Sequence, residues 1–169
     1  TAQIAIEASL TGHLVLSTLH TNDAPTAITR LTEMGIEPFL VASAIDCVVA
    51  QRLARTLCPH CKRRAILDAR MLHDNGFATR HDIEAYEPVG CPRCGHSGYK
   101  GRIGLYEVMT VTEEIRKLTI ARASADEIAE VAARGGMRRL RQDGLEKVRL
   151  GRTSLAEVAR VTGTGAAVG

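Results

Sequence analysis

The chain has 169 residues, 45% hydrophobic and 24% charged, which suits a soluble globular protein with one core and room for a small appendage. Only 3% are aromatic and there is no Trp, so a core must be built from Leu, Ile, Val and Ala. The net charge of +3 is too slight to indicate nucleic acid by itself, no apolar run nears the roughly 18 residues of a membrane span, and no signal-peptide pattern is visible. The expected compartment is therefore the cytoplasm, where cysteines are read as thiolate ligands before disulfides.

Thr1-Ala2-Gln3 leads directly into a helical pattern over residues 2–11, closed by Gly12. With no Met and no leader, the chain is expected to continue upstream. His13-Leu14-Val15-Leu16-Ser17-Thr18-Leu19-His20 is short, apolar and partly β-branched, and Thr21-Asn22-Asp23 follows. That pattern predicts a strand buried on both faces of a parallel sheet. Asn22 or Asp23 can cap a helix over 24–34 with Pro25 in its first turn, and a further short helix is expected over 38–45. Residues 46–57 predict a second strand, and Cys47 within it reads as a small buried hydrophobe. Strand, helix, strand is the α/β alternation of a mostly parallel sheet.

Two CxxC knuckles follow, Cys58-Pro59-His60-Cys61 and Cys91-Pro92-Arg93-Cys94. A tight turn inside each brings two sulfurs towards one point, and Zn²⁺ favours such a four-coordinate thiolate cage. A redox CxxC normally stands alone with one low-pKa thiol, so two matched knuckles argue for structural zinc. Residues 62–90 between them exceed the common spacing of roughly 15–20, which predicts a small subdomain. It is polar and weakly periodic, with a short helix expected around 65–75 and another around 80–86. His60 and His96 could each replace a cysteine in the cage; with four thiols present they read as solvated or supporting groups. After a glycine-rich turn, residues 103–109 predict a strand returning to the sheet. From Thr112 onward the pattern is helical, with capping boxes at Ser124-Ala125-Asp126-Glu127 and Ser154-Leu155-Ala156-Glu157. The basic run Arg138-Arg139-Leu140-Arg141, with Lys147, Arg149 and Arg152, reads as a solvated helix face, with an acidic-partner surface as the sharper option. Residues 164–169 are expected to be disordered.

His20, Thr21 and Asn22 stand at the carboxyl end of the first apparent strand, the end that faces the ligand crevice in open α/β sheets. His13 stands at the other end. No GxxxxGK[ST] occurs, so these residues supply no phosphate-cradling loop and no complete active site.

Thr11-Gly12-His13-Leu14-Val15-Leu16-Ser17-Thr18-Leu19-His20-Thr21-Asn22-Asp23-Ala24 closely resembles the histidine box of secretion ATPases, the motors of type II secretion and type IV pilus assembly. Gln51 to Pro59 resembles that family's strand into its zinc subdomain. Cys58, Cys61, Cys91 and Cys94 resemble its tetracysteine motif, and Gly101 to Val108 its strand out of it. The likeness runs over roughly residues 1–162. It implies a partial RecA-like P-loop NTPase sheet over 1–57 with the histidine box at 11–24, an inserted zinc subdomain over 58–101, a returning strand over 102–111 and a C-terminal helical subdomain over 112–163. It implies roles near the nucleotide's terminal phosphate for His20 and, less directly, His13. It further implies ATP and Mg²⁺ in the full-length protein, a homohexamer, and work at inner-membrane platform proteins from the cytoplasmic side, with no membrane span and no nucleic acid. The tetracysteine motif points towards assembly motors and away from retraction motors. The family's P-loop, aspartate box and Walker B acids precede the histidine box and are absent here, so this chain alone is expected not to turn over nucleotide. Two rival readings remain: a zinc-containing module that docks on platform proteins, and a zinc-ribbon nucleic-acid binder.

Overall fold

The structure is a computed structural model that describes residues 1–77, 79 and 81–163. Its elements run in the order α1 (Ala2–Leu10), α2 (Ala24–Glu33), α3 (Pro38–Ala44), β1 (Cys47–Leu57), β2 (Arg63–Leu67), α4 (Ala69–Asp74), β3 (Ile83–Glu87), a 3-10 turn (Pro92–Cys94), β4 (Tyr99–Thr110), α5 (Glu113–Ile120), α6 (Ala125–Arg134), α7 (Leu140–Arg149) and α8 (Leu155–Thr162). The architecture is α/β.

Local sequence accounts for most helix ends. Asp23, Thr112, Ser124 and Ser154 each accept the backbone N–H three residues on, as expected of short oxygen-bearing caps. Ser124 and Glu127 form the reciprocal capping box, with Glu127 reaching back to the Ser124 N–H at 2.8 Å. The second expected box is half made. Ser154 caps the Glu157 N–H at 3.2 Å, but the Glu157 carboxylate is turned away from Ser154 to the Arg55 N–H.

The chain divides into two compact units. The first comprises Thr1–Ala50 and Glu107–Arg138. Helix α3 packs on α1 and α5, and α6 on α2 and α5. Ile28, Val41, Met109, Ile115 and Ile128 are essentially inaccessible at its centre, and each such side chain contributes roughly 1.5–3 kcal/mol through burial. Two polar ties join the helices: Ser9 Oγ donates to the Ala44 carbonyl at 3.1 Å, and the Arg116 guanidinium holds the Ala42 carbonyl and the Asp46 carboxylate.

The second unit comprises Gln51–Tyr106 and Arg139–Gly169. Strands β2 and β3 pair antiparallel, with Ala65 opposite Ala85 and Leu67 opposite Ile83. Helix α7 packs on β3 and on α8. Leu72, Leu105, Val148 and Val158 are fully buried here. The helices after Thr112 are thus divided, α5 and α6 in the first unit and α7 and α8 in the second.

Strands β1 and β4 form the other two-stranded sheet. They run antiparallel: the Val111 N–H donates to the Asp46 carbonyl beyond one end, and the Cys58 N–H to the Gly98 carbonyl beyond the other, both at 2.9 Å. The expected parallel pairing is therefore not found among the described residues. Residues 13–20 form no strand. Leu14 and Leu16 are each 89% exposed. A strand exists only where a neighbour takes its N–H and C=O groups, and no described strand lies beside this one.

Other expectations are corrected too. The predicted helix around 80–86 is strand β3, because its alternating apolar residues pair with β2. The helix around 65–75 shortens to α4, with β2 occupying 63–67. Cys47 is exposed and not buried, since it lies on the open face of β1. The expected tail over 164–169 lies outside the described residues.

Candidate metal centre and histidine segment

The first knuckle begins where β1 ends. The Cys61 and Lys62 N–H groups both fold back to the Cys58 carbonyl, at 3.3 and 3.1 Å. In the second, the Cys94 and His96 N–H groups take the Cys91 carbonyl at 3.1 and 2.9 Å. Both turns share the bond from the second cysteine's N–H to the first cysteine's carbonyl, which folds the paired sulfurs towards each other. Closure of the stem depends on glycine at two points. A Cβ at Gly90 would lie 2.6 Å from the His96 carbonyl oxygen, and one at Gly98 2.4 Å from Pro88 Cβ, and both residues have positive φ.

The ligand atoms of Cys58, Cys61, Cys91 and Cys94 all lie within 4.8 Å of one another. Cys58 Sγ is 4.0 Å from Cys91 Sγ, Cys61 Sγ is 3.9 Å from Cys94 Sγ, and Cys91 Sγ is 3.8 Å from Cys94 Sγ. A disulfide needs about 2.05 Å. A tetrahedron with Zn–S bonds of about 2.3 Å has edges of about 3.8 Å. The spacing is compatible with a metal cage.

The thiols do not share one electrostatic environment. Burial raises Cys61, and the neighbouring thiols add to the rise against a backbone contact from Gly90, leaving it at about 11. Burial raises Cys94 as well, but the N–H groups of Cys91 and Gly98, at 3.2 and 3.3 Å from its sulfur, outweigh that and bring it down to about 6. Cys61 and Cys94 are thus shifted in opposite directions, and a bound divalent ion would favour the thiolate form of all four. The donor set fits zinc, which would supply structural closure and no chemistry. His60 and His96 contribute no atom to the cluster; His60 instead lies against the Arg93 guanidinium, 3.1 Å from Nδ1.

The segment Gly151–Glu157 docks on the stem of the knuckles. The Leu57 N–H donates to the Arg152 carbonyl at 2.9 Å, Thr153 Oγ1 to the Arg55 carbonyl at 2.8 Å, and Lys62 Nζ to the Gly151 carbonyl at 2.8 Å. Tyr99 Oη lies 2.7 Å from Ser154 Oγ, and its ring carries the Arg55 guanidinium at 4.1 Å. Two residues of the basic run are turned inward. Arg141 stacks on Phe77 and donates to the Asn75 and Gly163 carbonyls at two helix ends, while Lys147 pairs with Asp143.

His13 and His20 are both exposed, and among the described residues neither belongs to a group that could share an ion. His13 Nδ1 lies 3.2 Å from Thr11 Oγ1. Immediately after His20 the chain is fixed by the start of α2, where the Ala24 N–H donates to Glu107 Oε1 at 2.9 Å. Glu107 and Glu157 are both 1% exposed, and the sequence reading singled out neither for a tertiary role. A glutamate amid apolar β4 residues was the available signal for the first; the second was masked by its place in a capping-box pattern.

The solved structure of the ATPase DotB from Legionella pneumophila shares this fold, with a TM-score of 0.56 and 19% identity, over 93% of this chain and 34% of that one. Residues 1–160 match the family model described as type II/IV secretion system protein, and the chain belongs to that family. It is 51% identical over 160 residues to the type IV pilus assembly ATPase PilB of Thermus thermophilus, covering 94% of this chain and 18% of that protein. It is 48% identical over 162 residues to the type II secretion system protein E of Aeromonas hydrophila, covering 96% and 32%. The chain thus spans about a fifth to a third of the length of these relatives. Among the described residues no helix is long and apolar enough to cross a membrane.

Proposed function

We propose that the chain is the histidine-box and tetracysteine portion of a motor ATPase that drives pilin or pseudopilin assembly. The carrying observation is the four-sulfur cluster in a chain about half identical to proteins named as pilus-assembly and type II secretion ATPases. In this reading residues 1–57 belong to a RecA-like core, 58–101 to a zinc subdomain held by Cys58, Cys61, Cys91 and Cys94, 102–111 to the returning strand and 112–163 to a helical part. Zinc clips the excursion shut. His20, with His13, lies towards the terminal phosphate of ATP, while Mg²⁺ and the phosphate-cradling loop are supplied by the rest of the protein. The motor acts as a homohexamer at the cytoplasmic face of inner-membrane platform proteins.

Phosphoryl transfer depends on phosphate-cradling amides, a lysine and a metal-holding acid, so the 169-residue chain by itself is inactive. ATP turnover is measured on this chain and on the full-length protein, each with and without His20→Ala. The expected result is no turnover by the chain, turnover by the full-length protein, and its loss in the variant. Turnover by the isolated chain that His20→Ala abolishes sinks this reading. A nucleic-acid role is disfavoured because aromatic residues, on which a single-strand platform relies for stacking, are only 3% of the chain, and Tyr86, Tyr99 and Phe77 each already carry a cation, from Lys62, Arg55 and Arg141.

A further inference from the structure

His20 is followed by only three residues before the chain is fixed. The segment preceding it, residues 13–19, lies in no strand, so the position of His20 depends on the start of α2. That start carries N–H groups that no helical carbonyl can satisfy. Pro25 has none. The Thr26 N–H goes to the Asp23 carboxylate at 2.9 Å. The Ala24 N–H goes to Glu107, a residue 83 positions away.

The two carboxylates differ in kind. Asp23 is a local cap, of a type an isolated helix can make for itself. Its bond to the Thr26 N–H spans three residues of the same turn. Glu107 is a tertiary anchor. It stands on β4, is 1% exposed, and meets a buried helix end at Ala24, which is itself 0% exposed. A buried carboxylate is costly unless hydrogen-bonded, and the N-terminal end of a helix, with its free N–H groups and positive dipole end, is a place that offsets the cost. An apolar side chain would fill this site without the desolvation penalty but would leave the Ala24 N–H unsatisfied.

We propose that Glu107 is the positioning residue of the histidine segment: by holding the Ala24 N–H it fixes the start of α2 on β4, and through Thr21-Asn22-Asp23 sets where His20 stands. The proposal rests on the reading of His20 given above. Thr21 stiffens the link, since its hydroxyl donates to the Asp23 carbonyl at 3.1 Å.

Amide hydrogen exchange and histidine ring spectra of the isotope-labelled chain test it. Glu107→Ala should speed exchange at Ala24 about tenfold or more and shift the His20 ring signals. It should leave exchange at Ile128, in the same core, within twofold and the ring signals of His13 in place. Glu107→Gln keeps an acceptor oxygen and should remain within threefold of wild type at Ala24. If Ala24 and Ile128 accelerate together, Glu107 merely stabilises the unit and the proposal fails; if Ala24 does not change, it fails outright. In the full-length protein, Glu107→Ala should lower kcat about tenfold with KM unchanged, and Glu107→Gln should recover most of it. Undiminished turnover in His20→Ala would remove the role of His20, leaving the exchange measurements to decide the anchor separately.

Discussion

Glu157 is the buried charge whose contribution follows most directly from the geometry. Its side chain is 0% exposed. It accepts the Arg55 N–H at 2.9 Å, Arg55 Nη2 at 2.8 Å, Arg160 Nε at 3.0 Å and Arg160 Nη2 at 2.5 Å. Burial alone would raise its pKa; the hydrogen bonds from Arg160 and Arg55 outweigh burial and bring it from 4.5 to about 2. At 1.36 kcal/mol per pH unit that difference is ~3 kcal/mol. Arg55 and Arg160 are 49% and 59% exposed, so water screens both partners and about 2 kcal/mol is the better figure. Because the folded pKa is depressed, this stabilisation is complete above about pH 4.5 and is lost as pH falls towards 2. Glu157→Gln should therefore cost about 2 kcal/mol at pH 7, and less than half of that gap should remain at pH 3. Urea titration with a chelator and a reductant present reads it. Tyr86, Tyr99 and Tyr106, the chain's three tyrosines, all lie in the second unit, so their signal reports that unit. A gap of the same size at pH 7 and pH 3 would refute the account of Glu157 as an ionised group held by its two arginines.

Three further outcomes are expected. The metal-loaded chain should bind about one zinc and expose one rapidly reacting thiol, Cys47, rising to five when the metal is stripped; five fast thiols in the loaded chain would contradict the cage. Cys58→Ser should abolish tight zinc binding yet leave amide protection at Ile28 and Ile115 in the first unit intact, and its loss there would show that the metal holds more than its own unit. Gly144→Ala gains about 1 kcal/mol of helix propensity, but its Cβ would come within 2.4 Å of the fully buried Val158 Cγ1. Overpacking of that kind costs about 1–3 kcal/mol, so the variant should be less stable by about 1 kcal/mol in the same urea assay, and a stabilised variant would show that Val158 has room to move.

How much was legible depended on the range of each interaction. The cap residues Asp23, Thr112, Ser124 and Ser154 were readable because each bonds a group three residues away. The cysteine knuckles were readable for the same reason, two turns of four residues each, and the presence of two such units already predicted that the pairs would meet. The β2–β3 hairpin was not readable: residues 83–87 are too short for their alternation to outweigh a weak helical pattern, and their pairing with Arg63–Leu67 lies beyond any local window. Nor was Arg141, which reads as one more charge in a basic run and is in fact drawn in by Phe77 and two helix-end carbonyls.

The amino-acid sequence by itself determined most of the helix starts, the four cysteines that could hold a metal and the likeness to the secretion motors, because these are set by residue types at fixed short spacing. Only the tertiary structure decided that β1 and β4 run antiparallel, that residues 13–20 stand without a strand partner, and that Glu107 and Glu157 leave local roles for distant N–H groups. Strand pairing and the destination of a buried carboxylate depend on which backbone groups remain unsatisfied elsewhere in the fold, and no local pattern carries that information.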